Sequence, residues 1–169
     1  MADIFKYYWD SCAWLGLLNY ENDKIAPLRH FYDLATRNQC EIWTSTIAYV
    51  EVFRLHAEND DAKPLKEEHL DKIKNIIEQP FVKLIPADMI IGRQARALRR
   101  ELPDFQGAGD AIHIASALVW NIHQVHTWDG SHMLPWHMKL DCRDGTKLSI
   151  VKPVLPPAGP LFAGAQGQP

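Results

Sequence analysis

Residues 107–129 read G-A-G-D-A-I-H-I-A-S-A-L-V-W-N-I-H-Q-V-H-T-W-D, which combines an apolar helix with a strand that ends in an acid. Asp110 follows a glycine pair and begins a predicted helix that reaches Trp120. Residues 124–128 form a predicted strand, and Asp129 stands at its carboxyl end. A helix that leads into a buried strand is the connection that parallel sheets use, so this stretch predicts an α/β fold.

The rest of the chain repeats this alternation. Pro27, Pro64 and Pro86 fit the starts of predicted helices, and Ser11 is the predicted N-cap of the first one. Strands are predicted at residues 6–9, 41–43, 81–85, 124–128 and 147–151, and helices at 12–18, 27–39, 47–57, from 64 onward, at 86–101 and at 110–120. The pattern predicts a single α/β domain over residues 1–152, whose mostly parallel central sheet of about five strands is flanked by helices on both faces. Residues 153–169 are rich in proline and glycine, which predicts an extended or disordered tail.

Four acidic residues stand beside apolar segments, where an unpaired carboxylate costs free energy. Asp10 and Asp129 follow predicted strands, Asp110 begins a helix, and Glu51 lies within a helix. Ligand sites of open parallel sheets lie beyond the carboxyl ends of the strands, so the three aspartates are expected at one rim. The spacing does not decide whether Glu51 faces that rim. Converging carboxylates require a cation, and Mg²⁺ or Mn²⁺ is the first candidate.

Each acid also has a purely structural explanation. Asp110 fits a helix N-cap, Asp129 the first position of an Asp-Gly turn, Asp10 a helix cap, and Glu51 a solvated helix position. Taken singly, these explanations are at least as good as a catalytic one, because short motifs often occur without function. Taken together, they leave unexplained why the two clearest strand ends both carry aspartate.

Composition favours a soluble, cytoplasmic globular protein. The chain has 169 residues, of which 47% are apolar and 23% charged, and no segment is apolar enough over sufficient length to predict a membrane span. The first residues do not form a secretory signal, and the three cysteines contain no C-x-x-C pair. The net charge of −3 gives no overall attraction to nucleic acid, so RNA binding would rely on a local basic patch or on metal.

The histidines give weaker signals. His113 lies one turn after Asp110 and is expected beside the same cleft as a structural or supporting residue. His132 and His137 flank a predicted loop, where a zinc site is a remote alternative. No phosphate-binding glycine loop of the Walker or dinucleotide type occurs in the chain.

Three arginines recur at helical spacing near the acidic segment. Arg93, Arg96 and Arg100 fall on one face of a predicted helix. The simpler interpretation is a solvated face beside Glu101 and Asp104. The alternative is a contact with the phosphate backbone of RNA.

The order and surroundings of the acids resemble a PIN domain, the nuclease fold of the toxins of VapBC-type toxin–antitoxin pairs. The resemblance covers residues 6–151, and its most specific segments are D-A-I-H-I-A-S-A-L at 110–118 and T-W-D at 127–129. In this family the helical glutamate faces the cleft, which is where the resemblance places Glu51. The four acids of the family, in chain order, match Asp10, Glu51, Asp110 and Asp129.

The resemblance implies a metal-dependent endoribonuclease. Similar proteins hydrolyse RNA with Mg²⁺ or Mn²⁺, are often homodimers, and in the toxin members are inhibited by a small antitoxin that covers the cleft. For this chain it implies that the four acids bind the metal, that Glu51 does so directly or through water, and that Ser11 supports them.

The chain departs from the family pattern beside the first acid. The usual opening is Asp-Thr-Asn or similar, whereas here it is Asp10-Ser11-Cys12. Ser11 keeps the hydroxyl, but Cys12 replaces a polar amide that helps to hold the acids. This leaves open a module that binds RNA or protein without cleaving. A small-molecule phosphohydrolase on a different α/β sheet is a further alternative, because acids at strand ends also serve such enzymes.

Overall fold

The computed structural model describes residues 4–59, 64–102, 105 and 107–156. Within these residues the strands are Phe5–Trp9 (β1), Cys40–Ser45 (β2), Val82–Ile85 (β3), Gln124–His126 (β4) and Ser149–Val151 (β5). The α-helices are Ser11–Leu18 (α1), Ile25–Thr36 (α2), Ile47–Glu51 (α3), Glu67–Ile77 (α4), Met89–Glu101 (α5) and Ala108–Val119 (α6). Short 3₁₀ turns occur at His56–Glu58 and Leu134–Trp136.

The five strands form one parallel sheet in the order β3-β2-β1-β4-β5. β1 is central, and Tyr8 pairs with Trp43 of β2 on one side and Val125 of β4 on the other. The strand order reverses direction at β1, so a crevice is expected beyond the carboxyl ends of β1 and β4. The predicted α/β class and the five-stranded parallel sheet are confirmed.

Helices cover both faces of the sheet, and each face has its own apolar core. Because successive strand residues point to opposite faces, neighbouring residues of β1 enter different cores. Tyr8 packs into the core beneath α5 and α6, whereas Trp9 packs with Trp14 into the core beneath α1, α2 and α4. Both β1 side chains are fully buried, so the end of β1 is held rigidly between the two layers.

The largest error in the predicted elements concerns the helix that carries Glu51. The prediction extended it to residue 57, but α3 ends at Glu51, and the backbone leaves the helical conformation at Val52 (φ −94°, ψ 58°). Val52 and Leu55 are 1% and 5% exposed and join the core beneath α4. Burying both side chains there redirects the chain and leaves Glu51 at the C-terminal end of a short helix.

Other predicted boundaries are also wrong. α6 begins at Ala108, with Gly107 as its N-cap, and not at Asp110; α4 begins at Glu67 and not at Pro64. The N-cap of α1 is Asp10 and not Ser11. Of the predicted tail, residues 153–156 form no helix or strand and residues 157–169 lie outside the described residues. The domain boundary after residue 152 stays a prediction. Among the described helices, none has the length and apolar character needed to cross a membrane.

Candidate active site

Asp10 is a buried carboxylate at the junction of β1 and α1. Its Oδ1 accepts a hydrogen bond from the backbone N–H of Ala13 at 2.9 Å, and its Oδ2 accepts one from the Thr127 hydroxyl at 2.5 Å. The residue is 2% exposed. Burial raises the pKa of Asp10 to about 6, although His113, Thr127 and the Ala13 N–H oppose that rise. The helix cap predicted for Asp10 is therefore real, but a cap does not explain the burial, since Asp88 caps α5 from an exposed position.

Thr127 connects Asp10 with Asp129. It is fully buried, and its Oγ1 accepts a hydrogen bond from the Asp129 N–H at 2.9 Å while donating to Asp10. The sequence carries no signal for Thr127 beyond its place in the T-W-D segment, one residue past the end of β4.

Asp129 uses its two carboxylate oxygens differently. Oδ1 accepts hydrogen bonds from the N–H groups of Ser131 and His132, both at 2.9 Å, which forms the turn that its sequence position predicts. Oδ2 lies 3.3 Å from Nδ1 of His132. The turn thus accounts for Oδ1 of Asp129, whereas Oδ2 faces the imidazole of His132.

Asp110 lies in the first turn of α6, and its carboxylate folds back over the helix start. A Cβ atom added to Gly107 would lie 2.0 Å from Oδ2 of Asp110, so glycine is needed there for this placement. Burial, followed by the charge of Asp129, raises the pKa of Asp110. The predicted N-cap role is wrong, because Gly107 occupies that position.

Glu51 faces the same helix start from α3. A Cβ atom added to Gly109 would lie only 2.1 Å from Oε1 of Glu51. Its Oε2 accepts hydrogen bonds from Nε2 of His113 at 2.8 Å and from the Ser11 hydroxyl. Burial acts to raise the pKa of Glu51, but the hydrogen bonds and charge of these two partners outweigh burial and lower it. Glu51 is therefore held toward the crevice. The glycines of the G-A-G segment leave room for the carboxylates of Asp110 and Glu51, which side chains at 107 and 109 would displace.

His113 is positioned by Tyr8 from inside the core. The imidazole is 1% exposed, and its Nδ1 lies 2.8 Å from the Tyr8 hydroxyl. That hydroxyl accepts the Ser45 N–H at 2.9 Å, so its own proton points to Nδ1. Nε2 then carries the proton that is donated to Glu51. His113 thus lies beside the acids and contacts Glu51, and its supporting role stays a prediction.

His132 joins the acids, whereas His137 does not. Ligand atoms of Asp110, Asp129 and His132 all lie within 4.8 Å of one another. His137 instead directs Nδ1 at the backbone of Ile150, at 2.9 Å from its oxygen and 3.1 Å from its nitrogen. The two histidines therefore do not share a zinc site.

The contacts connect all four predicted acids around the carboxyl ends of β1 and β4. Glu51 and Asp110 both lie against the start of α6, and the charge of Glu51 acts on Asp110. Asp110 and Asp129 both face His132, and the backbone of Asp129 is linked to the Asp10 carboxylate through Thr127. This donor set of carboxylate oxygens is of the kind that Mg²⁺ and Mn²⁺ bind. The group within 4.8 Å includes neither Asp10 nor Glu51, so these two would reach the same ion only through water or after a shift of their side chains.

Cys12 lies beside this group without adding a charge to it. Burial, with further contributions from Asp10, Asp129 and Asp110 that outweigh Lys24, raises the pKa of the Cys12 thiol to about 12. The thiol is therefore protonated at neutral pH and is no thiolate ligand.

The three predicted arginines are exposed on α5. Arg96 and Arg100, with Arg99, line a groove of about 470 Å³ between α5 and α6, whose walls include Phe105, Ala108 and Ile112. Arg93 lines an adjoining groove with Arg96 and Arg100. Within the described part of the chain none of these arginines forms an ion pair; Asp104, which the simpler interpretation invoked, lies outside it. The groove reaches Ala108, two residues before Asp110.

Comparison with known proteins identifies the architecture. Neither a protein-family model nor a curated protein sequence matches the chain. Among solved structures, VapC20 of Mycobacterium tuberculosis, a toxin that cleaves the sarcin-ricin loop, is similar with a TM-score of 0.55 and 17% identity over 73% of this chain and 90% of that one. A chain of VapBC2 from Rickettsia felis, in a structure bound to a DNA fragment of its promoter, gives a TM-score of 0.59 and 16% identity over 89% of this chain and 100% of that one. The chain therefore has the PIN-domain fold of the VapC toxins.

Proposed function

We propose that this protein is a divalent-metal-dependent endoribonuclease, the toxin of a toxin–antitoxin pair, acting on RNA in the cytoplasm. The observation that carries the proposal is the gathering of Asp10, Glu51, Asp110 and Asp129 at the point where the strand order of the sheet reverses. Like charges held close together raise one another's free energy unless a cation joins them. Burial is the larger cause of the raised pKa values of Asp10 and Asp110, and the charge of Asp129 adds to both, as expected of a site that a cation completes.

The residues divide into ligands and supports. Asp110 and Asp129 would hold the ion, with Asp10 and Glu51 binding it directly or through water. A bound divalent ion supplies positive charge at the scissile phosphate and lowers the pKa of a coordinated water. Glu51, with its lowered pKa, is an ionised acceptor at neutral pH, and we expect it to orient the attacking water. Ser11 and His113 fix its direction by their hydrogen bonds.

The arginine groove supports an RNA path that leads to the acids. A helix face with several exposed guanidinium groups, which form no ion pair with any described residue, suits the phosphate backbone. Because the groove ends near the start of α6, a strand lying along it would enter the crevice beside Asp110.

Charge reversal of Arg96 tests this path. In Asp110→Asn protein, which serves to bind RNA without cutting it, we expect Arg96→Glu to weaken binding of single-stranded RNA. We also expect it to flatten the dependence of log Kd on log salt by about 0.7, the change for one lost phosphate contact. Fluorescence anisotropy at several salt concentrations measures both quantities.

Arg37→Glu is the matched control. It makes the same charge change at an exposed arginine, but it lies just before β2, at the opposite end of the sheet from the acids. Equal effects of the two reversals would mean that RNA binding depends only on the net charge of the protein, and the arginine groove would then be no part of the RNA path.

Exposed apolar side chains on and beside α3 and α5 form a candidate binding surface for protein partners. Val50, Phe53, Met89 and Ile90 are 67%, 52%, 68% and 58% exposed. α3 and α5 start close together, since the Ala87 N–H donates to the Thr46 hydroxyl at 3.1 Å. Exposed apolar patches of this kind often mark protein interaction sites. They support the antitoxin and the homodimer that belong to the proposal.

The alternative is a PIN module that binds RNA or protein without cleaving. The protonated thiol of Cys12 beside the acids favours it, because it replaces a polar group there. The other alternative was a small-molecule phosphohydrolase on a different α/β sheet. Its predicted sheet is wrong, because the chain has the fold of a PIN domain.

A substrate and metal screen tests the proposed function. We expect purified protein to cleave single-stranded or structured RNA with Mn²⁺ or Mg²⁺, to lose that activity in EDTA, and to leave phosphate monoesters intact. Gel analysis of end-labelled RNA measures cleavage, and chromogenic monoesters report the alternative reaction. RNA binding without cleavage in every metal would instead establish the inactive module.

A further inference from the structure

The turn after β4 brings an imidazole into the group of acids. Nδ1 of His132 lies 3.3 Å from Oδ2 of Asp129 and 3.8 Å from Oδ2 of Asp110. The same turn is closed by the hydrogen bond from the His132 N–H to Oδ1 of Asp129. Asp129 thus fixes the backbone of His132 with one oxygen and faces its side chain with the other.

We propose that His132 is a nitrogen ligand of the metal and that it makes this site select a first-row transition ion, Mn²⁺ in particular, over Mg²⁺. The inference rests on the metal of the proposed function and adds a ligand beyond the four acids. Mg²⁺ prefers an all-oxygen octahedral shell, whereas imidazole nitrogen favours transition ions. A site with two carboxylates and one imidazole therefore discriminates between the two ions.

The spacing of the three side chains supports a shared coordination sphere. Ligand atoms about 2.1 Å from one ion and at right angles are about 3.0 Å apart. The separations from Nδ1 to the two carboxylates, 3.3 and 3.8 Å, need to close by less than an ångström in each case. His132 also has a half-exposed side chain, which leaves it free to make that adjustment.

A different role for His132 predicts the opposite effect on metal binding. As a protonated counter-ion of Asp110 and Asp129, the imidazole would compete with the metal, and its removal would tighten binding. As a ligand, its removal weakens binding and does so mainly for the transition ion. The sign of the change therefore separates the two roles.

Calorimetric titration of metal-free protein with Mn²⁺ and with Mg²⁺, without RNA, measures this sign. We expect His132→Ala and His132→Gln to lose at least about tenfold in Mn²⁺ affinity, as much as the loss of an outer-shell partner typically causes. Mg²⁺ affinity is expected to change less than about threefold. Tighter Mn²⁺ binding, or equal losses for both ions, would overturn the inference.

His56→Gln is the matched control, because His56 also faces a carboxylate at the surface and belongs to no cluster of metal-binding side chains among the described residues. Its Nε2 lies 3.9 Å from Oε1 of Glu21, and its side chain is 57% exposed against 52% for His132. We expect this variant to bind both ions as the wild type does. A loss of Mn²⁺ affinity equal to that of His132→Ala would mean that the effect is not specific to the site.

Electron spin echo spectroscopy of bound Mn²⁺ gives a direct reading of the ligand. We expect modulation from a bonded ¹⁴N nucleus in the wild type and its disappearance in His132→Ala. His113 is a second imidazole near the acids, so the variant is needed to assign the signal. Bound Mn²⁺ without nitrogen modulation would overturn this inference alone, whereas failure to bind either ion would overturn the proposed function as well.

Discussion

Asp110→Asn is expected to abolish RNA cleavage while leaving the fold intact. Asp110 lies at the start of α6, faces His132 and is near Glu51. Its charge is therefore central to the proposed ion site. We expect the rate to fall by roughly 10²–10³-fold or more, the range for removal of one preorganised electrostatic group. Single-turnover cleavage of labelled RNA with Mn²⁺ measures the loss.

The structure also indicates that this substitution does not unfold the protein. Asparagine has nearly the same shape, and it removes the repulsion from Asp129 that contributes to the raised pKa of Asp110. Asp71→Asn, the same change at an exposed position of α4, is the control and is expected to cleave normally. Metal-dependent cleavage at the wild-type rate by Asp110→Asn would exclude the proposed mechanism.

Asp10→Asn is expected to stabilise the metal-free protein at alkaline pH, although it removes a proposed ligand. The pKa of Asp10 is raised from 3.8 to about 6 by burial. The native state therefore binds the proton more tightly than the unfolded chain, and stability is lost as pH rises from about 4 to about 6. A shift of this size corresponds to about 3 kcal/mol, so we expect the asparagine variant to gain about 1–3 kcal/mol at pH 8 and almost nothing at pH 4.

Urea unfolding in EDTA at pH 4, 6 and 8 measures this gain. Asparagine can still cap α1, because its Oδ1 can accept the Ala13 N–H. Asp88→Asn replaces the exposed cap of α5 and is the control, because its side chain is already in contact with solvent and its replacement relieves no burial. Added Mn²⁺ is expected to stabilise the wild type more than Asp10→Asn. A variant that is no more stable than the wild type at pH 8 would contradict this account.

The fold could be predicted from local patterns to a large extent. Short apolar strands alternate with helices, and this alternation led directly to the parallel sheet that the structure contains. The predicted strands at residues 6–9 and 124–128 differ from β1 and β4 by one or two residues. Strand positions are readable because a strand in the middle of a parallel sheet is buried on both faces, which leaves a continuous apolar run.

The helix of Glu51 shows where local pattern fails. Residues 52–57, V-F-R-L-H-A, are mostly apolar and compatible with a longer helix, so the prediction extended to residue 57. The chain instead turns at Val52, because burial of Val52 and Leu55 against the core beneath α4 outweighs a further turn of helix. Helix propensity is a weak local preference that tertiary burial overrides.

The sequence by itself determined the α/β class and the placement of acids after β1 and β4, since the end of a strand and the residue that follows it are both local features. Only the tertiary structure decided that Glu51 lies beside Asp110 at the start of α6, that Thr127 binds Asp10, and that His132 faces Asp110. Each of these contacts joins elements that are far apart in the chain and depends on how those elements pack. The orientation of a side chain at such a junction is set by those long-range contacts, which no local pattern of residues contains.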